Sequence, residues 1–170
     1  MRLFFALNFD IPTLEKCISL QQQIRPLCAK GTFTRMENLH LTLCFLGEIE
    51  EDTQEILKTI LTELELQPLH LTFTHLGLFT KRGGDVLYLG LQNNKALHTV
   101  QTTLHQKLVR TGFTLENTSF TAHITLARRV HCKELCSFKP FSAEPTSISL
   151  MLSHRIDNCL TYTPLYTRAI

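Results

Sequence analysis

The chain opens on an apolar run, Leu3 to Phe9, that Asp10 closes. From there the hydrophobic spacing changes from that of a strand to that of a helix. Leu14, Cys17, Ile18, Gln21 and Ile24 recur along one side of a helix with Asp10 as its cap and Pro12 in its first turn. A similar pattern starts near Asn94, carries Leu97, Val100, Leu104 and Leu108 inward and stops at Gly112. A third helix is predicted from about Glu51 to Leu66, with Ile56, Leu57, Ile60, Leu61 and Leu64 inward and acidic residues at its start, where the helix dipole favours them. Strand patterns cover Leu69 to Leu78, Val86 to Leu91, Thr146 to Ser153 and Leu160 to Thr167.

The pattern repeats. His40-Leu41-Thr42-Leu43 and His123-Ile124-Thr125-Leu126 lie 83 residues apart, and in each case a strand begins 37 residues before the histidine, at Leu3 and at Val86. A helix lies between strand and motif both times. Each half reads strand, helix, strand, which predicts an α+β protein of two lobes related by a pseudo-twofold. Each lobe is expected to be an antiparallel sheet with helices on its outer face, and the active-site cleft lies between them. At 170 residues the expectation is one bilobal domain, residues 1–170.

In a strand, alternate side chains share a face, so His40 and Thr42 point one way while Leu41 and Leu43 point to the core; His123 and Thr125 do the same against Ile124 and Leu126. A single half-buried histidine on a strand is usually a packing residue. Two imidazole and hydroxyl pairs at symmetric positions suit phosphodiester cleavage, which needs a base for the attacking water and an acid for the departing oxygen. Threonine hydroxyls can donate to the non-bridging oxygens, and an arginine can add charge. Arg128 and Phe45 each stand five residues beyond a motif histidine, an odd offset that turns them to the cleft only across a bulge or a strand end. His70-Leu71-Thr72-Phe73 also fits the motif but has no partner at half-chain spacing, and His70 is read as structural.

Composition narrows the class. With 44% hydrophobic and 19% charged residues the chain is globular, and its net charge of +2 is too small for bulk nucleic-acid binding. Arg128-Arg129 and Lys133 after the second motif, and Lys81-Arg82 in a turn, form patches suited to a phosphate-bearing ligand. The apolar start is too short for a signal peptide and no run reaches membrane length, so a cytoplasmic location is expected. The six cysteines are then expected as reduced thiols, and His131-Cys132 with Cys136 lacks the ligand set of a zinc site.

The segments Asn38-Leu39-His40-Leu41-Thr42-Leu43-Cys44-Phe45-Leu46-Gly47 and Phe120-Thr121-Ala122-His123-Ile124-Thr125-Leu126-Ala127-Arg128 resemble the bacterial and archaeal RNA 2′,3′-cyclic phosphodiesterases of the 2H phosphoesterase superfamily. Arg2-Leu3-Phe4-Phe5-Ala6 and Tyr162-Thr163-Pro164-Leu165 are similar to that family's first and last strands; Ala122 departs from the usual proline. The resemblance implies hydrolysis of a terminal 2′,3′-cyclic phosphate to a 2′-phosphomonoester without metal or other cofactor. It implies His40 as proton donor, His123 as proton acceptor, Thr42, Thr125 and Arg128 on the phosphate, and Phe45 stacked on the terminal base. The expected partners are RNA ends or small cyclic nucleotides, met by a monomer with no membrane. Other branches of the superfamily act on small cyclic nucleotides or ADP-ribose cyclic phosphate or join RNA ends, and a non-catalytic RNA-end binding protein is the reading from another class. The two imidazoles should lie on the order of 5–8 Å apart to bracket one phosphorus atom.

Overall fold

The computed structural model describes residues 1–115 and 119–170. The first strand, β1 (Arg2–Asn8), is followed by helix α1 (Ile11–Ile24), a two-residue strand β2 (Thr32–Phe33) and the first motif strand β3 (Leu41–Glu48). After helix α2 (Gln54–Thr62) come strands β4 (Leu71–Phe79) and β5 (Asp85–Leu91), helix α3 (Lys95–Arg110) and the second motif strand β6 (His123–Val130). Strands β7 (Phe141–Ala143), β8 (Ser147–Ile156) and β9 (Cys159–Ala169) complete the chain.

Both long helices begin where their caps predict. The Asp10 carboxylate accepts from the Thr13 amide at 3.0 Å, and the Asn94 side-chain oxygen accepts from Leu97 at 2.9 Å. The helix expected over 51–66 is shorter: Glu51–Thr53 is a tight 3₁₀ turn and α2 ends at Thr62. The Arg168 guanidinium of β9 reaches over to the carbonyls of Leu61, at 2.9 Å, and Leu64 at and beyond the helix end. Ile56, expected inward, is 44% exposed, because the buried stripe runs through Leu57, Ile60, Leu61 and Leu64.

The strands pair antiparallel in the order β7-β4-β5-β6-β3-β1-β8-β9, with β2 added on β6. Two separate sheets were expected; instead the halves join into one nine-stranded sheet through the pair Leu41 and Ile124. Each motif strand meets the other only at its first residues, and β2 then takes up the edge of β6. The helices cover one face. α1 packs on β6 and α3 on β3, so each crossover helix lies against the motif strand of the other half. One hydrophobic core, containing Leu3, Phe5, Leu41, Leu43, Ile124 and Leu126, spans both halves beneath them. Phe4 and Ala6 point to the opposite face and form a small cluster with Met151 and Tyr162. β1 is thus buried on both sides, which is why it reads as an unbroken apolar run.

A further correction concerns the cysteines. Cys28 and Cys132 form a disulfide across 104 residues, with Cα atoms 3.9 Å apart, whereas reduced thiols were expected. The two residues face each other in an antiparallel bridge that continues the β2 and β6 pairing, a contact the local sequence does not announce.

Candidate active site

The odd offset of Phe45 and Arg128 is resolved by a pair of bulges. On β3, Thr42 faces Ala6 and Cys44 faces Phe5, so Leu43 is the extra residue. On β6, Thr125 faces Tyr88 and Ala127 faces Leu87, so Leu126 is the extra residue. Two successive side chains then turn into the core, Leu43 and Cys44 in one strand and Leu126 and Ala127 in the other, all under 8% exposed. The next residue, Phe45 or Arg128, returns to the histidine face.

Leu41 sits opposite Ile124. One residue further in each direction, antiparallel pairing sets His40 opposite Thr125 and Thr42 opposite His123. The four side chains make a two-by-two array with the histidines on one diagonal, backbone to backbone about 7–8 Å. Each imidazole is turned the same way. His40 Nδ1 lies 2.8 Å from the Asn38 carbonyl and His123 Nδ1 lies 2.6 Å from the Thr121 carbonyl. A carbonyl only accepts, so Nδ1 carries the proton in both rings and the Nε2 lone pair is left for chemistry. At His40 that lone pair accepts from the Thr42 hydroxyl at 2.9 Å.

Aromatic walls enclose both rings. Phe4 and Tyr162 stand 4.9 and 5.1 Å from His40; Phe79 and Tyr88 stand 4.9 and 5.5 Å from His123. Gly77 opposite Tyr88 makes room for that wall, since a Cβ there would run into the tyrosine ring. Burial among these rings pushes the His40 imidazole down to about 4, the charges of Arg128 and His123 act in the same direction, and the Asn38 carbonyl opposes them. Burial and Arg128 likewise hold His123 below its ordinary value, against the pull of the Thr121 carbonyl. Both rings are therefore neutral in the free protein near pH 7.

Two adjoining cavities open on three members of this array, His40, Thr42 and Thr125. One, of about 230 Å³, is walled by His40, Thr42, Phe45 and Arg128 together with Arg2, whose guanidinium lies 4.9 Å over the Phe45 ring. The other, of about 440 Å³, shares His40 and Arg128 and adds Thr125. His123 is on neither wall; it sits beside them between Phe79 and Tyr88. His70 lies away from both, paired with Glu144 at 2.6 Å.

Sequence reasoning missed Asn38 as a support. Its buried side chain donates to the Leu160 carbonyl at 2.8 Å and accepts from the Tyr162 amide at 3.2 Å, while its own carbonyl orients His40. Tyr88 and Phe79 were missed as well, although the period-two pattern of β5 places Tyr88 on the face that meets Thr125. Among the described residues no group of histidines, cysteines and carboxylates is arranged to hold a metal ion, and neither cavity wall carries a carboxylate.

An antiparallel sheet of two halves with a reciprocal His-x-Thr pair at the join defines a two-histidine phosphoesterase architecture. The comparisons agree: residues 15–154 match the family described as the 2′-5′ RNA ligase superfamily, and the chain belongs to that family. It is 30% identical over 129 residues to the RNA 2′,3′-cyclic phosphodiesterase of Archaeoglobus fulgidus, covering 75% of this chain and 72% of that one. The Escherichia coli protein of the same name is 29% identical over 169 residues, 96% of this chain and 93% of its own. Among solved structures, E. coli LigT complexed with 3′-AMP superposes with a TM-score of 0.85 at 29% identity, over 99% of this chain and 97% of that one.

Proposed function

We propose that this protein hydrolyses a terminal 2′,3′-cyclic phosphodiester of RNA to a 2′-phosphomonoester, by two-histidine acid and base catalysis that needs no metal. The observation that carries the proposal is the diagonal array of His40, Thr42, His123 and Thr125 at the Leu41 and Ile124 join. The names of the A. fulgidus and E. coli relatives support the substrate class, and the E. coli structures with 3′-AMP and with phosphate support a nucleotide or phosphate ligand in this fold.

Burial, with the Arg128 charge as a lesser cause, keeps the imidazoles neutral in the free protein; a phosphate anion beside them offsets that charge and pairs with an imidazolium, so His40 takes up a proton in the complex. Protonation at Nε2 releases the Thr42 hydroxyl from that nitrogen, and Thr42 then donates to a non-bridging oxygen, as Thr125 does from the other side. His123 Nε2 removes a proton from water as the water oxygen attacks phosphorus. The bond from phosphorus to O3′ breaks and His40 delivers its proton to O3′, leaving the phosphate on O2′. Arg128 adds charge to the phosphate, and Phe45, 39% exposed, offers a face for the terminal base.

The test is an oligonucleotide ending in a 2′,3′-cyclic phosphate, incubated in EDTA with product identification by mass spectrometry and phosphatase mapping. A 2′-phosphate with undiminished rate is expected. A 3′-phosphate, or a rate that requires a divalent cation, contradicts the mechanism.

A further inference from the structure

The 440 Å³ cavity is larger than one phosphate needs, and its far wall carries groups that the reaction above does not use. Arg35, Arg129 and Arg155 line it beyond His40, Thr125 and Arg128. Successive residues of a strand point to opposite faces, yet Arg128 and Arg129 both reach this wall. The cause is a second bulge. Arg128 faces Val86 and Val130 faces Asp85, so Arg129 is the extra residue, held with φ at +56°. A left-handed backbone is strained for a non-glycine residue and persists where the surroundings enforce it. Gly84 allows it here, since a Cβ at that position would lie 2.7 Å from the Arg129 Cα.

Arg155 enters from the other half of the sheet. It stands at the end of β8, where the tight Asp157 and Asn158 turn folds β9 back, and it donates to the Asn158 carbonyl at 2.6 Å. Arg35 is tied to β9 through the Leu160 carbonyl and to Glu37 at 3.0 Å. Among the described residues no carboxylate pairs with Arg128, Arg129 or Arg155. Phe33 and Tyr162 supply aromatic surface on the same wall. Guanidinium groups without a carboxylate partner and aromatic rings on one wall, in a cavity that shares His40 and Arg128 with the reacting end, suit a single nucleic-acid strand.

We infer that the second cavity seats the nucleotides upstream of the reacting end, with Arg129 and Arg155 on their phosphodiesters, so that the protein prefers an oligoribonucleotide to a mononucleotide. This rests on the reading of the His40, Thr42, His123 and Thr125 array as the seat of the cyclic phosphate. It also explains why a chain with a net charge of only +2 can hold RNA: the charge is local.

The test compares a hexaribonucleotide ending in a 2′,3′-cyclic phosphate with a nucleoside 2′,3′-cyclic monophosphate, in the wild type and in the Arg129→Gln, Arg155→Gln double variant. The wild type should favour the hexamer at least about tenfold in kcat/KM, and the variant should lose most of that preference while its mononucleotide rate stays within about twofold. Its salt dependence should also flatten, by about 0.7 in log–log slope for each phosphate that no longer meets an arginine. Equal falls on both substrates, or an unchanged hexamer rate, overturn the inference. Binding of a hexamer ending in a 2′-phosphate, measured alongside, needs no turnover. If that binding depends on the two arginines while neither cyclic substrate is cleaved, the hydrolase reading fails and the strand seat stands; if it ignores them, the seat fails.

Discussion

The buried Gln21 amide of α1 donates to the carbonyl of Leu126 at 2.7 Å and to that of Thr34 at 2.8 Å. Both partners are acceptors, so only the NH₂ end of the side chain can satisfy them. Leu126 is the extra residue of the first bulge on β6, and the contact therefore fixes the kink that turns Arg128 toward the cavities. A Gln21→Leu variant should lose on the order of 1–3 kcal/mol in a urea melt, because buried carbonyls lose a donor. It should also raise KM for the cyclic phosphate more than it lowers kcat. A variant with full stability and unchanged KM would show that the bulge holds itself.

Stability should depend on pH through His40. Its folded value, about 4, lies below the ordinary value of about 6.5 for an unfolded histidine. Between these limits the unfolded chain binds the proton that the folded protein refuses. The contribution is thus fully present above about pH 6.5 and is lost as pH falls toward 4. His123 is shifted in the same direction and adds to the trend. Thermal melts across this window should show a shallower acid destabilisation in His40→Gln than in the wild type; identical slopes would contradict the burial of this ring.

Apart from the half-buried Cys136, the cysteines should separate into three groups. Burial pushes the Cys17 thiol up to about 12 and the Cys44 thiol up to about 11, so neither should react with iodoacetamide in the folded protein at pH 8. Cys159 is exposed and should be labelled first. A peptide map without reductant should show Cys28 joined to Cys132. For a loop of this length the link adds up to about 4–5 kcal/mol in the chain-entropy picture, and reduction should lower Tm accordingly. Free Cys28 and Cys132 in that map would remove this staple from the account.

What the sequence made legible was local or repeated. Asp10 and Asn94 cap their helices through contacts three residues away, the apolar stripe of α3 follows from spacing alone, and that of α1 follows at Cys17, Gln21 and Ile24, with Leu20 buried in addition and Leu14 and Ile18 half-buried. The two His-x-Thr elements were visible because the motif recurs in the same strand, helix, strand order. The joining of both halves into one sheet was not visible, since it depends on the single pair Leu41 and Ile124. β2 and β7, of two and three residues, carry too little periodicity to be seen. Ile56 fits the helical stripe by spacing, and only the packing of α2 against β8 and β9 decides that it faces out.

The bulges at Leu43 and Leu126 mark the same limit more sharply. Alternation places Phe45 and Arg128 on the core side, and the extra residue in each strand reverses that, through pairing with Phe5 and Leu87 that lies far away in the chain. The disulfide, the Gln21 clamp and the Asn38 link to β9 likewise join residues more than a hundred positions apart. Pairings of this kind leave no periodic trace.

The most direct measurement is turnover of a 2′,3′-cyclic-phosphate-ended oligonucleotide by His40→Ala and by His123→Ala, each checked for an intact fold by circular dichroism. Because each imidazole carries one proton transfer, kcat should fall by at least about 10² in either variant. Unchanged rates in both would contradict the shared acid and base role of the diagonal pair.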